Sequence, residues 1–138
     1  MVLDCSVTAA WLFEDETSAL AEAVLEQLGD GWAARVPPVW VLEVCNVLLV
    51  GERRGRLTKA RSTVFWETLR ALPIAVDERA SMATAPAVVA LGREHQLSAY
   101  DAAYLELAVR EAVPVATLDQ RLAAAAQASG AGVWAPLA

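Results

Sequence analysis

Short apolar runs alternate with longer stretches of helical period along this chain. Met1 to Leu3 is a brief apolar run closed by Asp4-Cys5-Ser6, which predicts a buried strand at the start of the fold. Ala9 to Phe13, then Leu20, Val24, Leu25 and Leu28 beyond the acidic Glu14-Asp15-Glu16, keep helical spacing until Gly29-Asp30-Gly31 stops them. Trp32 to Val36 is a second short strand. Pro37-Pro38 suits the first turn of a helix, where a missing N–H costs nothing, and that helix runs from Val39 to Arg54. Thr58 caps the next one, Lys59 to Leu72, which ends before Pro73, and Ile74-Ala75-Val76 is a third strand bounded by Asp77. Arg79 to Glu94 has helical character interrupted by Pro86. Ser98 and Asp101 read as a capping box opening a helix to Glu111, Val113 to Thr117 is a fourth strand, and Asp119 to Ala128 is a last helix.

Short apolar strands alternating with helices predict a parallel sheet covered on both faces, a three-layer α/β/α sandwich forming one domain over residues 1–138. Composition agrees: 57% of residues are hydrophobic and 20% charged, which excludes intrinsic disorder, although 29 alanines bring little volume each. Eleven Lys and Arg against 17 Asp and Glu leave a net charge of −6, so bulk positive charge is excluded as a means of holding nucleic acid. Cys5 and Cys45 are too few for a disulfide scaffold or a four-ligand zinc site, and the single His95 excludes paired-imidazole catalysis. The first residues lack a basic signal-peptide region, and the longest apolar stretch, Val36 to Val50, is shorter than the roughly 20 residues of a membrane span. A cytoplasmic protein with no membrane partner is expected.

In a parallel α/β sheet, the carboxyl ends of the strands and the amino ends of the following helices share one edge, where ligands bind. Asp4 ends the first strand, Asp119 follows the fourth, and Asp101 lies in the first turn of the helix opened by Ser98. Glu43 interrupts an otherwise apolar helix on the face it shares with Asn46, and burying such a carboxylate without a partner is costly. Asp4 and Asp119 also suit helix-capping positions, with Asp101 the reciprocal partner of Ser98. Glu43 has no such alternative. Two unit charges about 4 Å apart repel by about 4 kcal/mol at an effective dielectric of 20, so four gathered acids call for protonation or a divalent cation. Oxygen ligands without nearby His or thiolate favour Mg²⁺ or Mn²⁺, and metal ions held by acids suit hydrolysis of a phosphodiester.

Val2-Leu3-Asp4-Cys5-Ser6, Leu42-Glu43-Val44-Cys45-Asn46, Ser98-Ala99-Tyr100-Asp101-Ala102-Ala103-Tyr104 and Ala116-Thr117-Leu118-Asp119 resemble, in order and spacing, the four motifs of PIN-domain ribonucleases, most closely the VapC-type toxins. The resemblance spans residues 1 to about 134. It implies a metal-dependent endoribonuclease of a type II toxin–antitoxin pair, with Asp4, Glu43, Asp101 and Asp119 as the metal-binding acids and Ser6, Asn46 and Thr117 in supporting positions. It further implies a homodimer and a VapB-like antitoxin whose C-terminal segment blocks the site. Gln120 and Arg121 stand where relatives sometimes carry a further acid.

Five of the eleven basic residues, Arg53, Arg54, Arg56, Lys59 and Arg61, cluster around the Gly55 turn, where they suit RNA phosphates, an acidic antitoxin segment or plain solvation. Glu14 to Glu16 read as a solvated turn, Cys5 and Cys45 as small core residues, His95 as a surface loop residue, and Trp11 and Trp40 as core or partner-interface residues. Two other functions compete with the nuclease. An aspartate-dependent phosphatase would use Asp4 as nucleophile, but a second Asp is wanted where Ser6 stands, and no Lys follows Lys59. A non-catalytic partner- or RNA-binding module would have no reason to retain four mutually repelling acids.

Overall fold

The structure is a computed structural model describing residues 1–79 and 81–137. Four parallel strands, β1 (Val2–Leu3), β2 (Ala34–Val36), β3 (Ile74–Val76) and β4 (Val115–Ala116), lie in the order β3-β2-β1-β4. Val2 is level with Arg35 on one side and Val115 on the other, and Val36 with Val76. Helices α1 (Cys5–Leu12) and α2 (Ala19–Gly29) join β1 to β2, α3 (Val39–Arg53) and α4 (Lys59–Ala71) join β2 to β3, and α5 (Ser81–His95) and α6 (Ala99–Glu111) carry the chain back to β4. The last helix, α7 (Gln120–Ala128), follows β4. The three-layer α/β/α arrangement expected from the alternation is therefore the fold. The chain works outward from β1 to β3 and then returns to the far side of β1, so the strand order reverses between β1 and β4. That reversal opens a crevice at the carboxyl ends of these two strands.

Val2, Leu3, Val36, Val115 and Ala116 are fully buried, which explains why two- and three-residue strands hold: each Val or Leu removed from water stabilises the fold by about 1.5–3 kcal/mol. Against them pack Val7 and Ala10 of α1, Val24 and Leu28 of α2, Trp40 and Val44 of α3, and Leu122 and Ala126 of α7. The α6 helix is the central one, with Ala102, Tyr104, Leu105, Leu107 and Ala108 wholly enclosed. Among the described residues, side-chain caps start four helices: Ser18 accepts the Ala21 N–H, Thr58 that of Arg61, Ser98 that of Asp101, and Asp119 that of Leu122.

Several local expectations give way. The first helical stretch is two helices, because Glu14–Glu16 form a 3-10 turn held by the Thr17 hydroxyl on the Glu14 carbonyl. Pro86 does not interrupt α5. Its missing N–H leaves the Met82 carbonyl without a helix donor, and both residues lie on an exposed flank where that carbonyl is open to solvent. Arg79 lies before that helix, whose expected start at Arg79-Ala80 falls partly outside the described residues. The second and fourth strands are shorter than expected, and β4 gains an unforeseen parallel bridge from Val133. His95 is no loop residue: it ends α5, with its side chain only 11% exposed. No helix among the described residues is long and apolar enough to cross a membrane.

Candidate active site

Asp4 occupies the N-cap position of α1, but its carboxylate makes no capping bond. The side chain, 5% exposed, turns instead into the crevice between β1 and β4, where its Oδ2 accepts the Ser6 hydroxyl at 2.5 Å and the Thr117 hydroxyl at 2.7 Å. Backbone geometry sets the direction of both bonds. Ser6 Oγ accepts the Leu118 N–H and Thr117 Oγ1 accepts the Asp119 N–H, each at 3.0 Å, so both hydroxyl protons are left for Asp4. The loop after β4 is thereby tied to the end of β1.

Glu43, a little over one turn into α3, accepts the Tyr104 phenol at 2.8 Å on Oε1. Tyr104 is enclosed in α6 three residues after Asp101, on the same face of the helix, and burial beside Asp4 and Glu43 pushes its phenol far above the ordinary range. It therefore acts only as a proton-holding donor. Ser98 supplies half of the expected capping box by accepting the Asp101 N–H at 3.1 Å, while the reciprocal bond from the Ser98 N–H to the Asp101 carboxylate is not formed among the described residues. Asp119 does cap α7: its Oδ1 accepts the Leu122 N–H at 2.9 Å.

Burial raises the carboxyls of Asp4, Glu43 and Asp101 above their ordinary values, and at Glu43 and Asp101 neighbouring negative charge adds to it. Glu43 feels Asp4 and Asp101; Asp101 feels Asp119 and then Asp4. The hydroxyls of Ser6 and Thr117 on Asp4, of Tyr104 on Glu43, and of Ser98 on Asp101 oppose the rise. Buried Cys5 sits in the same field, its thiol pushed up to about 12 by burial, then Glu43 and Asp4, so it offers no thiolate.

The neighbouring acids give the contrast. Asp77 follows β3 as Asp4 follows β1, and Glu106 lies between leucines in α6 much as Glu43 lies in α3. Arg110 takes both, at 2.6 Å to Asp77 and 2.8 Å to Glu106, and holds the Asp77 carboxyl below its usual range. Asp4, Glu43, Asp101 and Asp119 form no ion pair among the described residues. As they stand, no three His, Cys, Asp or Glu side chains among those residues converge tightly enough to hold an ion. The donor chemistry nevertheless fits a hard divalent cation, since the set offers carboxylate oxygens only, lacks a counter-charge, and is rigidly aimed at two of its members.

Among the described residues Asn46 makes no hydrogen bond to the acids; it lines the cavity beside Glu43. Trp40 is core, its indole N–H on the Thr8 hydroxyl and its ring stacked on Trp66, and Trp11 donates to the Ala21 carbonyl. Arg56 is engaged by Asp15 and Glu16 over the Phe13 ring. Tyr104 and the Asp77–Arg110–Glu106 network went unassigned from sequence. Their only local signals are the spacings of three from Asp101 to Tyr104 and four from Glu106 to Arg110.

A family model for the PIN domain matches residues 1–128. PIN domains are a nuclease fold whose members generally use divalent metal ions. A comparison with curated proteins finds no match to this chain. The matched span takes in all four strands, the crevice and each of the four acids, and the chain belongs to the PIN domain family.

Proposed function

We propose that the protein is a metal-dependent endoribonuclease, the toxin of a type II toxin–antitoxin pair, working as a homodimer and silenced by a VapB-like antitoxin. The observation that carries the catalytic reading is the contrast among its acids. Arg110 neutralises the structural carboxylates, whereas Asp4, Glu43 and Asp101 are partly or fully buried at one edge with raised affinities for protons and no ion pair among the described residues. The toxin role rests on the four-motif resemblance.

Asp4, Glu43, Asp101 and Asp119 are the residues that would hold Mg²⁺ or Mn²⁺. When bound, such an ion supplies a water made acidic enough to attack phosphorus and positive charge for the phosphoryl oxygens. The chain's own contribution is orientation. Ser6 and Thr117 favour the ionised form of Asp4 against the effect of burial and fix its Oδ2 facing them. Tyr104 does the same for Glu43 through Oε1. The amino ends of α6 and α7 face the same edge, where their dipoles favour a phosphate.

Purified wild type and Asp101→Asn, each with Mg²⁺, Mn²⁺ or EDTA, are tested on mixed cellular RNA. Discrete fragments made only by the wild type with metal are expected. Undiminished cutting by a folded Asp101→Asn variant, or no cutting by folded wild type with metal, refutes the nuclease. Growth arrest on expression, lost with Asp101→Asn, tests the toxin role.

A further inference from the structure

Two cavities open along α3. One, of about 440 Å³, lies against Glu43 and is walled also by Cys5, Leu42, Asn46 and Tyr100. The other, of about 250 Å³, is walled by Asn46, Val50, Arg54 and Arg56. Asn46 and Val47 line both, so the two are parts of one groove. Its floor is a single helix face, since Glu43, Asn46, Val50 and Arg54 follow at spacings of three and four. From Glu43 to Arg54 this face is about 16 Å long, a span of a few nucleotides.

The two ends differ in chemistry. At the Glu43 end, Leu42 is 71% exposed and Tyr100 63% exposed, each one residue before a candidate metal-binding acid in the chain. Such large apolar surfaces, left in water around a half-polar cavity, suit a flat ring with hydrogen-bonding edges: Tyr100 and Leu42 supply the faces and the Asn46 amide a donor and an acceptor. At the far end Arg56 is neutralised by Asp15 and Glu16, while Arg54 makes no ion pair among the described residues and keeps its charge for the groove.

We infer that this groove is the track of a single RNA strand, with an unstacked nucleobase held between Tyr100 and Leu42 beside Glu43 and a phosphate a few nucleotides away held by Arg54. The inference rests on the nuclease reading for the strand's identity. Single strands are favoured because a base must leave its stack to enter the cavity. A protein segment would need neither the ring-sized cavity nor the anion-binding end.

The test is binding of a fluorescein-labelled, mixed-sequence single-stranded RNA dodecamer to the full chain in EDTA, read by anisotropy over a range of salt concentrations. Tyr100→Ala is expected to weaken binding about tenfold, with Tyr100→Phe as wild type. Arg54→Gln is expected to weaken binding and lower the slope of log K against log salt by about 0.7. Arg70→Gln, on the exposed flank of α4, leaves both unchanged. Wild-type affinity and slope in either Tyr100→Ala or Arg54→Gln, an equal loss in Arg70→Gln, or no binding by wild type overturns the track. Those results leave metal-dependent cleavage to its own test, and a protein that binds through this groove yet cuts nothing keeps the track and loses the nuclease.

Discussion

Thr117→Val removes one oxygen atom from the crevice and almost nothing else, because valine has the shape of threonine. The lost hydroxyl donates to Asp4 Oδ2 at 2.7 Å and accepts the Asp119 N–H at 3.0 Å, in a side chain that is itself buried. A hydrogen bond to a charged group contributes about 1.5–3 kcal/mol and one between neutral groups about 0.5–1.5 kcal/mol, so the pair is worth about 2–4 kcal/mol. Unfolding 138 residues releases about 0.3 kcal/mol/K of entropy, which makes the expected fall in Tm about 7–14 °C by calorimetry. Asp4 would also lose one of the two hydroxyls that oppose the effect of burial, so its carboxyl rises further. The acid limb of the RNA-cleavage profile should then move to higher pH. Thr117→Ser retains both bonds and should restore the limb. A Tm and acid limb unchanged in Thr117→Val, or a Thr117→Ser variant as impaired as Thr117→Val, would refute the reasoning.

In EDTA, the raised carboxyls of Asp4, Glu43 and Asp101 favour the fold when protonated, a contribution full below the ordinary carboxylate values and lost as pH rises through the raised ones. Tm should therefore climb as pH falls from neutrality toward about 5, with a flatter climb in Asp101→Asn; a wild-type Tm that falls over this window contradicts the placement of the acids. Below the ordinary range the trend reverses, because Asp77, held low by Arg110, then loses its ion pair. Arg110→Met leaves Asp77 and Glu106 buried, with Arg35 still on Asp77, and denaturant unfolding should show a loss of about 3 kcal/mol with the crevice intact. Ala112 caps α6 with φ of 54°, a left-handed conformation that costs a β-carbon about 1 kcal/mol, so Ala112→Gly should raise Tm by about 3 °C.

The alternation of short apolar runs with helical periods was enough for the parallel α/β/α fold, because burial on both sheet faces leaves a continuous apolar run in each strand. Capping residues placed the starts of α4, α6 and α7 within a residue. The helix ends and Pro86 were less legible, since a local rule ignores what water and the neighbouring chain supply. The acids show the boundary most clearly. By position along the chain, Asp4, Asp77 and Asp119 all end or follow strands, and Glu43 and Glu106 are both acids amid apolar helix neighbours. Motif order singled out Asp4, Glu43, Asp101 and Asp119, but not what any of them touches. Tertiary structure sends Arg110 to both Asp77 and Glu106, and side-chain hydroxyls rather than a cation to Asp4 and Glu43 among the described residues. A carboxylate's protonation and its use depend on the groups that reach it through space, and at Asp77, Glu43 and Asp4 these include Arg110, Tyr104 and Thr117, all more than thirty positions away in the chain.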